Sequence, residues 1–341
     1  MLAERTPHRA IGPPVILAGL AIAALVGLVL HVGLGSSVWL SPADIFRELV
    51  RGPGGTGDNL IVWQLRLPRA IACLLVGGIL GAVGSSFQAL FRNPLADPFV
   101  VGVSSGAGVG GALALVFGLD AAFGALGSLA MPAAGFLTGL ASLALVFALA
   151  SRHGAIEVGS LLLAGVVTGS LLAAILSLVL LLAGQDTNQV LRWLMGSMHP
   201  MFWDRVALLL GAFVIGSAAL LAQSKQLNAL AVGEDTARRL GVDSTRLRNA
   251  ILLAGTAMVA VCVGAVGIVG FLGLVAPHIA RRLVGVDWRW SLLGSLLTGS
   301  VLLLAADALA QRVLSGGEMP VGVVTALLGS PFLLVLLRRS A

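Results

Sequence analysis

The sequence predicts an all-α membrane protein with about ten transmembrane helices, and three observations carry that prediction. Hydrophobic residues make up 58% of the 341 residues and charged residues only 11%, whereas a soluble globular protein carries roughly 25% charged residues. Apolar runs of roughly 20 residues, the length that spans a bilayer, recur along the whole chain. Basic residues stand at the ends of these runs, as they do in membrane proteins. We therefore expect residues 1–341 to form a single transmembrane domain.

Nine apolar runs are long enough to span a bilayer, and a shorter, more polar one at 270–284 is expected to be a broken or half-length tenth helix. The nine runs lie near 14–34, 70–91, 99–119, 124–150, 158–184, 206–222, 249–269, 290–310 and 320–337. Arg5 and Arg9 precede the first run, and Arg338 and Arg339 follow the last. The positive-inside rule then places both termini in the cytoplasm, which requires an even number of crossings. Of the 21 Lys and Arg residues, seven fall outside on this topology: Arg47, Arg51, Arg66, Arg69, Arg192, Arg205 and Arg312.

The composition also argues against several classes of function. Cys73 and Cys262 each lie inside an apolar run without a second ligand nearby, so neither a disulfide framework nor a metal site is supported. The net charge of +6 does not indicate nucleic-acid binding, because no basic face with interleaved aromatic residues is present. The single lysine, Lys225, lies between Ser and Gln, so the chain lacks the Gly-Lys-[Ser/Thr] of a P-loop. We predict a protein that is not an enzyme, binds no cofactor itself and takes its energy from a partner or an ion gradient.

Two polar segments on the inner side interrupt the apolar pattern. The first is RNPLADP, from Arg92 to Pro98, in which two prolines break the helix. It is either a simple connection or a loop that lines or gates a pathway, since non-helical backbone at membrane depth survives only beside a cavity or within protein. The second is the longest inner loop, 223–249, whose short helical turns are separated by Gly233 and Gly241. Its acids precede its bases, the order favoured by the helix dipole, and we interpret it as a docking element for a soluble partner.

The outer arginines are a third feature that needs an explanation. Arg66 and Arg69 stand three residues apart at the start of a helix, and Arg312 follows the penultimate long run. Arginine offers a fork that binds carboxylates, so an acidic partner outside the membrane is one reading. Snorkelling of the side chains to the interface is the other. If the arginines dock a partner, we expect them to be exposed and their effect to be screened by salt.

Four motifs, in order, resemble the FecCD family of permease subunits of ABC importers for iron-siderophores, haem and vitamin B12. They are LRLPRAIACLLVGGILGAVGSSFQALFRNPLADPFVVGVSSGAGVG, GEDTARRLGV, GFLGLVAPHIARRLVG and MPVGVVTALLGSPFLLVLL, and the resemblance runs from about Trp63 to the C-terminus. The family implies ten helices per subunit, a homodimer in the bacterial inner membrane, two ATPase subunits that hydrolyse ATP with Mg, and a periplasmic binding protein.

The resemblance also implies roles for particular residues. Arg66, Arg69 and Arg312 match positions that pair with acidic residues of the binding protein. The coupling element that docks on the ATPase is matched by Glu234, Asp235, Ala237, Arg238, Arg239, Leu240 and Gly241. The cytoplasmic gate is matched by Asn93, Pro94 and Leu95.

Other polar residues within or beside the membrane are weaker candidates. Arg192 and Trp193, before the sixth long helix, are candidates for contact with an anionic substrate. Asp307 lies inside an apolar helix, where a carboxylate is a functional candidate by default. His278 is either a haem or metal ligand or, more simply, a structural polar contact. The alternative function is an ion-coupled secondary transporter, which usually needs several ionisable groups at mid-membrane. The sequence does not distinguish siderophore, haem and cobalamin as cargo.

Overall fold

The computed structural model describes residues 12–35, 39–152, 155–156, 158–314 and 317–340. Its α-helices are α1 (Pro13–Leu34), α2 (Pro42–Arg51), α3 (Asp58–Leu60), α4 (Leu67–Leu90), α5 (Val103–Val116), α6 (Leu119–Ala122), α7 (Ala130–Ala150), α8 (Val158–Leu182), α9 (Thr187–Leu194), α10 (Trp203–Ala222), α11 (Ser224–Val232), α12 (Glu234–Arg239), α13 (Ser244–Val266), α14 (Leu272–Val284), α15 (Trp288–Ala310) and α16 (Val321–Ser340). A π-helical segment, Ile61–Arg66, joins α3 to α4. The strands β1 (Ser151–Arg152) and β2 (Ala155–Ile156) form one short antiparallel pair.

The helical membrane class predicted from the sequence is confirmed. Within the described residues, seven helical segments are long and apolar enough to cross a bilayer. They are Pro13–Leu34, Asp58–Leu90, Leu126–Ala150, Gly159–Leu182, Trp203–Ala222, Ser244–Val266 and Trp288–Ala310. Helix α5 and the Val321–Val335 part of α16 are apolar but shorter. A helix too short to span the bilayer can still lie at membrane depth where other helices cover its ends, so helix length alone does not give the number of crossings.

Helix α4 lies at the centre of the molecule and packs against α1, α10, α13, α14 and α15. Almost all of its residues are buried, and glycines allow its neighbours to approach its backbone. A Cβ on Gly77 or Gly81 would collide with backbone carbonyls of α15, and one on Gly84 would collide with the carbonyl of Gly273 in α14. Such close contacts stabilise helix pairs in lipid, where the hydrophobic effect does not drive association. Helices α4, α14 and α15 therefore form one tightly joined group.

A second group is built from α5, α7 and α8, and α13 connects it to α4. The same packing rule applies here: a Cβ on Gly110 would collide with the backbone of Ala134 in α7, and one on Gly264 would collide with Pro132. Helices α1 and α8 are the least buried of the long helices and expose mostly leucine, isoleucine and valine. A helix with an apolar exposed face suits contact with lipid.

The predicted helix bounds need three corrections. The run 99–119 contains only the 14-residue α5, because Pro98 begins a 3₁₀ turn and Gly102, at φ 78°, breaks it from the helix. The start of the run 124–150 is also a 3₁₀ turn, over Gly124–Leu129. Two amphipathic helices on the side predicted to face outward, α2 and α9, are not predicted by the sequence, because both are short and too polar for an apolar-run criterion.

Candidate functional site

Four features stand out as functional candidates. A buried charge cluster and a cavity lie on the side predicted to face outward, and the predicted gate loop and a pair of short helices lie on the side predicted to face the cytoplasm. The charge cluster joins the ends of α1, α4 and α15 around Asp307, whose side chain is 1% exposed. The Asp307 carboxylate accepts hydrogen bonds from His31 Nε2 at 2.7 Å and from Arg69 Nε and Nη2 at 2.8 and 3.0 Å. Gln311 Nε2 adds a fourth at 3.0 Å. The carboxylate is saturated with donors, as a buried charge must be.

Arg69 is fixed by Asp307 along one edge of its guanidinium and meets Glu318 along the other. Its Nη1 donates to Glu318 Oε2 at 2.7 Å. The Glu318 side chain is 32% exposed, against 9% for that of Arg69. Arg69 and Glu318 both line the outer cavity. Glu318 therefore lies between the Arg69 guanidinium and the solvent of the cavity.

The expected exposure of the docking arginines is wrong for two of the three. Arg69 is buried by the contacts just described, and Arg66 is 8% exposed because its Nη1 donates to the carbonyls of Val32 and Gly33 at 2.8 and 3.1 Å. These carbonyls end α1, where the last turn of a helix leaves acceptors without intrahelical partners. Arg312 is exposed as expected, although its Nη2 also donates to the carbonyl of Leu34 at 2.7 Å. The three arginines thus fasten helix ends together in the isolated chain.

The same cluster contains three groups of the kinds that bind metal ions, but their arrangement does not fit one. Potential ligand atoms of His31, Cys73 and Asp307 lie within 4.8 Å of one another. Arg69, however, donates to both carboxylate oxygens of Asp307, and His31 donates to one of the same oxygens. A metal ion would have to displace a guanidinium and then lie beside its positive charge. We therefore regard the group as an ion-pair cluster.

A cavity of about 1280 Å³ opens on the outer side between α9, the start of α10 and the segment that leads into α16. Arg192 and Trp193, the two residues predicted to meet substrate, both line it. Arg192 is exposed, together with Asn188 and Gln189 on the same helix, whereas Trp193 packs against Gly111 of α5. The cavity exceeds the roughly 300–1,000 Å³ of pockets for drug-sized ligands. It offers both polar donors and room for a large molecule.

The gate loop predicted at Asn93, Pro94 and Leu95 is a non-helical connection between α4 and the next 3₁₀ turn. Asn93 Oδ1 accepts from the Leu95 N–H at 2.9 Å, and the Asn93 N–H donates back to the Gln88 carbonyl at 3.1 Å. Arg92 adopts φ 50°, an uncommon conformation for a residue other than glycine. At the end of the loop, burial raises the pKa of the Asp97 carboxyl to about 6. The prolines interrupt the helix as predicted, and the loop is folded tightly onto the end of α4.

The coupling element predicted at 223–249 forms two helices, α11 and α12, followed by the start of α13. Gly241, at φ 80°, ends α12: its N–H donates to the Arg238 carbonyl and the Val242 N–H donates to that of Ala237. These two bonds are the Schellman arrangement, which favours glycine at this position. Ala237 is the buried anchor of α12, whereas Asp235, Arg239 and Leu240 are exposed. The predicted short helices with glycine breaks are confirmed as structure.

The surface of α11 and α12 combines charged and exposed apolar side chains. Glu234 and Arg238 form an ion pair at 3.1 Å across one helical turn. Leu240 is 69% exposed and Val232, at the end of α11, is 74% exposed. Charged groups around exposed apolar side chains are common where a protein binds a partner.

Comparison with known proteins decides the family. The sequence model of the FecCD transport family matches residues 21–339. The chain belongs to the FecCD transport family. It is 37% identical over 323 residues to the uncharacterised ABC transporter permease protein YvrB of Bacillus subtilis, covering 92% of this chain and 91% of that one. It is 38% identical over 325 residues to the vitamin B12 import system permease BtuC of Citrobacter koseri, covering 95% and 94%.

Relatives of this FecCD chain extend to archaea and to solved structures. The cobalamin import system permease BtuC of Halobacterium salinarum is 37% identical over 342 residues, covering 96% of this chain and 90% of that one. A structure assigned to the metal-chelate type of ABC transporter, in an inward-facing conformation, superposes with a TM-score of 0.81 at 31% identity over 96% of this chain and 99% of the other. PsaBC of Streptococcus pneumoniae shares the fold, with a TM-score of 0.57 at 18% identity over 82% and 92%. The chain is a multi-pass membrane permease of the FecCD and BtuC type, and permeases of this type are not themselves enzymes.

Sequence reasoning missed most of the outer charge cluster in this FecCD chain. The sequence marks Asp307 as a candidate but names no partner for it, and it gives no signal for His31 or Glu318. Two of the partners of Asp307, His31 and Arg69, lie 276 and 238 residues away in the chain, so no local pattern joins them to it. An intramembrane carboxylate beside unexplained arginines was the available signal. His278 packs edge-on against Phe332 at 5.5 Å between ring centres, which fits the structural reading.

Proposed function

We propose that this chain is the permease subunit of an ABC importer that carries an iron chelate, haem or cobalamin from a periplasmic binding protein into the cytoplasm. In this proposal two copies form a homodimer in the bacterial inner membrane, with two ATPase subunits beneath it. The observation that carries the proposal is the pair α11 and α12, a compact, charged element with exposed Leu240 and Val232. A transporter that works alone has no need of such an element.

The ten-crossing topology remains part of the proposal. Beyond the seven long segments, α5, α14 and α16 bring the number to ten and keep both termini on one side. Helix α14 has 13 residues, too few to span the roughly 30 Å hydrocarbon core at 1.5 Å per residue. It packs beside α4 and α15, so its backbone ends are covered by protein. The basic residues Arg281 and Arg282 at its end suit the cytoplasmic side.

The energy source is proposed to be ATP with Mg, hydrolysed by the partner subunits. The chain has no Gly-Lys-[Ser/Thr] sequence for a P-loop. The rival reading, an ion-coupled carrier, would use an intramembrane carboxylate that exchanges its ion or proton. Asp307 does not suit that role, because Arg69 neutralises it and His31 and Gln311 also occupy it. We propose that Asp307 is structural.

The outer surface is proposed to receive the binding protein through Arg312, with Arg66 and Arg69 becoming available only when their internal contacts yield. The cargo then passes Arg192 and Trp193 in the outer cavity and the loop of Asn93, Pro94 and Leu95 at the inner gate. Glu234, Asp235, Ala237, Arg238, Arg239, Leu240 and Gly241 form the ATPase-docking element of the proposal. Relatives named for vitamin B12 import make a corrinoid the first cargo to test.

The test is uptake by proteoliposomes that contain the permease with its ATPase subunits and binding protein. Labelled vitamin B12, haem and a ferric siderophore are compared in parallel as cargo. We expect uptake of one class to require ATP and Mg and to persist after the proton gradient is dissipated. Uptake by the permease alone, driven by a proton gradient without ATP, would establish the ion-coupled alternative instead.

A further inference from the structure

The gate loop is attached to the end of α4 at Gln88. The Asn93 N–H donates to the Gln88 carbonyl at 3.1 Å, so the first turn of the loop is fixed by this residue's backbone. The Gln88 side chain is 3% exposed and lies among helices rather than in solvent. A buried amide needs partners for its donor and its acceptor. Both partners belong to α14.

Gln88 contacts α14 at its beginning and near its end. Its Nε2 donates to the carbonyl of Gly273 at 3.2 Å, and its Oε1 accepts from Arg281 Nη2 at 2.6 Å. The second is a short, charge-assisted hydrogen bond, the stronger kind. Because Gln88 bonds to both ends of this 13-residue helix, a shift of α14 cannot leave Gln88 in place without breaking one of the two bonds.

Arg281 in turn leads to the coupling element. Its guanidinium lies 6.0 Å from the centre of the Trp288 ring, within reach of a cation–π contact. The backbone N–H of Trp288 donates to Asn228 Oδ1 at 3.0 Å, and Asn228 Nδ2 donates to Asp287 Oδ1 at 3.1 Å. Hydrogen bonds from the Arg289 backbone N–H and from Asn228 hold the pKa of the Asp287 carboxyl below its usual range. Asn228 lies in α11, beside the exposed α12.

We propose that Gln88, Arg281, Trp288 and Asn228 form a polar bridge through which movement of the ATPase-docking helices reaches the gate loop. This inference rests on the proposed function, and it assigns these four residues as positioning residues for the gate loop. Apolar packing alone would let α11 slide against α4, because such contacts are non-directional. The bridge replaces sliding with directed bonds, so α11, α14 and the end of α4 move together.

The experiment uses the full importer in proteoliposomes with ATP and labelled vitamin B12, or whichever of the three cargoes the unaltered importer carries. Gln88→Leu, Arg281→Gln and Asn228→Ala each break one joint of the bridge. For each variant we measure cargo transported per ATP hydrolysed and the nucleotide dependence of thiol labelling at Leu95→Cys. Cys73 and Cys262 are 0% and 2% exposed, so they contribute little background labelling. Asn228→Ala changes a half-buried residue at the surface and guards against loss of the fold.

We expect transport per ATP to fall by about fivefold or more, the lower range of coupling between linked sites. ATP hydrolysis, which the partner subunits carry out, should change much less. Labelling at Leu95→Cys should no longer vary with nucleotide. The variant that combines Gln88→Leu with Arg281→Gln should lose no more coupling than either single change, because both changes break the same hydrogen bond. Gln88→Glu keeps the acceptor for Arg281 but loses the donor to the Gly273 carbonyl, so it should retain more of the coupling than Gln88→Leu.

Arg289→Gln is the matched control, since it removes the same charge from an exposed side chain on the same inner surface. An unchanged transport ratio in Asn228→Ala and Gln88→Leu would overturn the bridge, and so would an equal loss in Arg289→Gln or additive losses in the double variant. Loss of ATPase co-purification in every variant would also overturn it, since the residues would then serve assembly. These outcomes are separable from failure of the proposed function, in which the unaltered permease would transport without ATP.

Discussion

Replacing Asp307 by asparagine tests whether this carboxylate holds the outer ends of three helices together. The change keeps the size of the side chain but removes the charge that faces Arg69 at 2.8 and 3.0 Å. It leaves a guanidinium, 9% exposed, with only the contact to Glu318 as an ion pair. Removing one partner of a buried ion pair destabilises a protein by about 3–5 kcal/mol. We expect a loss of this size in the free energy of unfolding.

The measurement is thermal unfolding of the permease in nanodiscs, followed by tryptophan fluorescence. Using roughly 2–4 °C per kcal/mol for a large domain, the midpoint of Asp307→Asn should fall by about 6 °C or more. Asp186→Asn is the matched control, because this carboxylate is exposed in the wall of the outer cavity, and it should cost less than about 0.5 kcal/mol. Replacing Arg69 by methionine together with Asp307→Asn should recover part of the loss, since no unpaired charge remains buried. Equal midpoints for Asp307→Asn and Asp186→Asn would refute the reasoning.

Three further predictions concern other parts of the molecule. Glu318→Gln should lower the free energy of unfolding by only about 1 kcal/mol, because the Glu318 carboxylate is about one-third exposed. If Arg69 receives an acidic residue of the periplasmic protein, removing the competing Glu318 charge should also tighten binding of that protein in a titration, and weaker binding would contradict this. Gly84→Val should prevent assembly of the helix core, seen as aggregation in size-exclusion chromatography, because its side chain would collide with the Gly273 backbone; Gly211→Val, with open space around it, is the control that should elute normally. Burial raises the pKa of the Asp97 carboxyl to about 6, so the folded state holds this proton more tightly than the unfolded state. Its contribution to the free energy of unfolding is therefore fully present below pH of about 4 and is lost as pH rises through about 6, by on the order of 3 kcal/mol. Asp97→Asn should remove this part of the pH dependence of the unfolding midpoint, and an unchanged profile would show that Asp97 is not responsible.

The long helices and the inner elements could be predicted because their signals are local. A run of apolar residues, a proline pair around Asn93 and Leu95, and glycines at 233 and 241 each act within a few residues of their own position. Their physical effects, burial in lipid, interruption of a helix and helix capping, do not depend on distant partners. The structure has these features where the sequence placed them. The short amphipathic helices α2 and α9 lack such a signal, because their polar residues hide them from an apolar-run criterion.

The environment of the arginines could not be predicted because it depends on pairing across the whole chain. Arg66 and Arg69 have the spacing of an exposed pair at a helix end, and that spacing is also what lets Arg66 reach the end of α1 while Arg69 reaches α15. The buried partner, Asp307, lies 238 residues away. The expectation of small, salt-screened effects therefore changes for Arg69. Reversing its charge would place a second carboxylate against that of Asp307, so lost docking could not be separated from lost folding.

The outer cluster and the inner polar bridge are joined by the same helices, and this has a mechanical consequence. Helix α4 carries Arg69 at one end and Gln88 at the other, while α15 carries Asp307 and Trp288 at its corresponding ends. Between them, Gly77 and Gly81 lie so close to α15 that even a Cβ atom would collide with its backbone carbonyls, so the two helices pack backbone to backbone. Packed interfaces of this kind move as rigid bodies rather than deform continuously. We therefore expect a displacement imposed on α11 to tilt the α4–α15 pair as a unit, so that closure at the gate loop accompanies a change in the position of Arg69 at the outer surface.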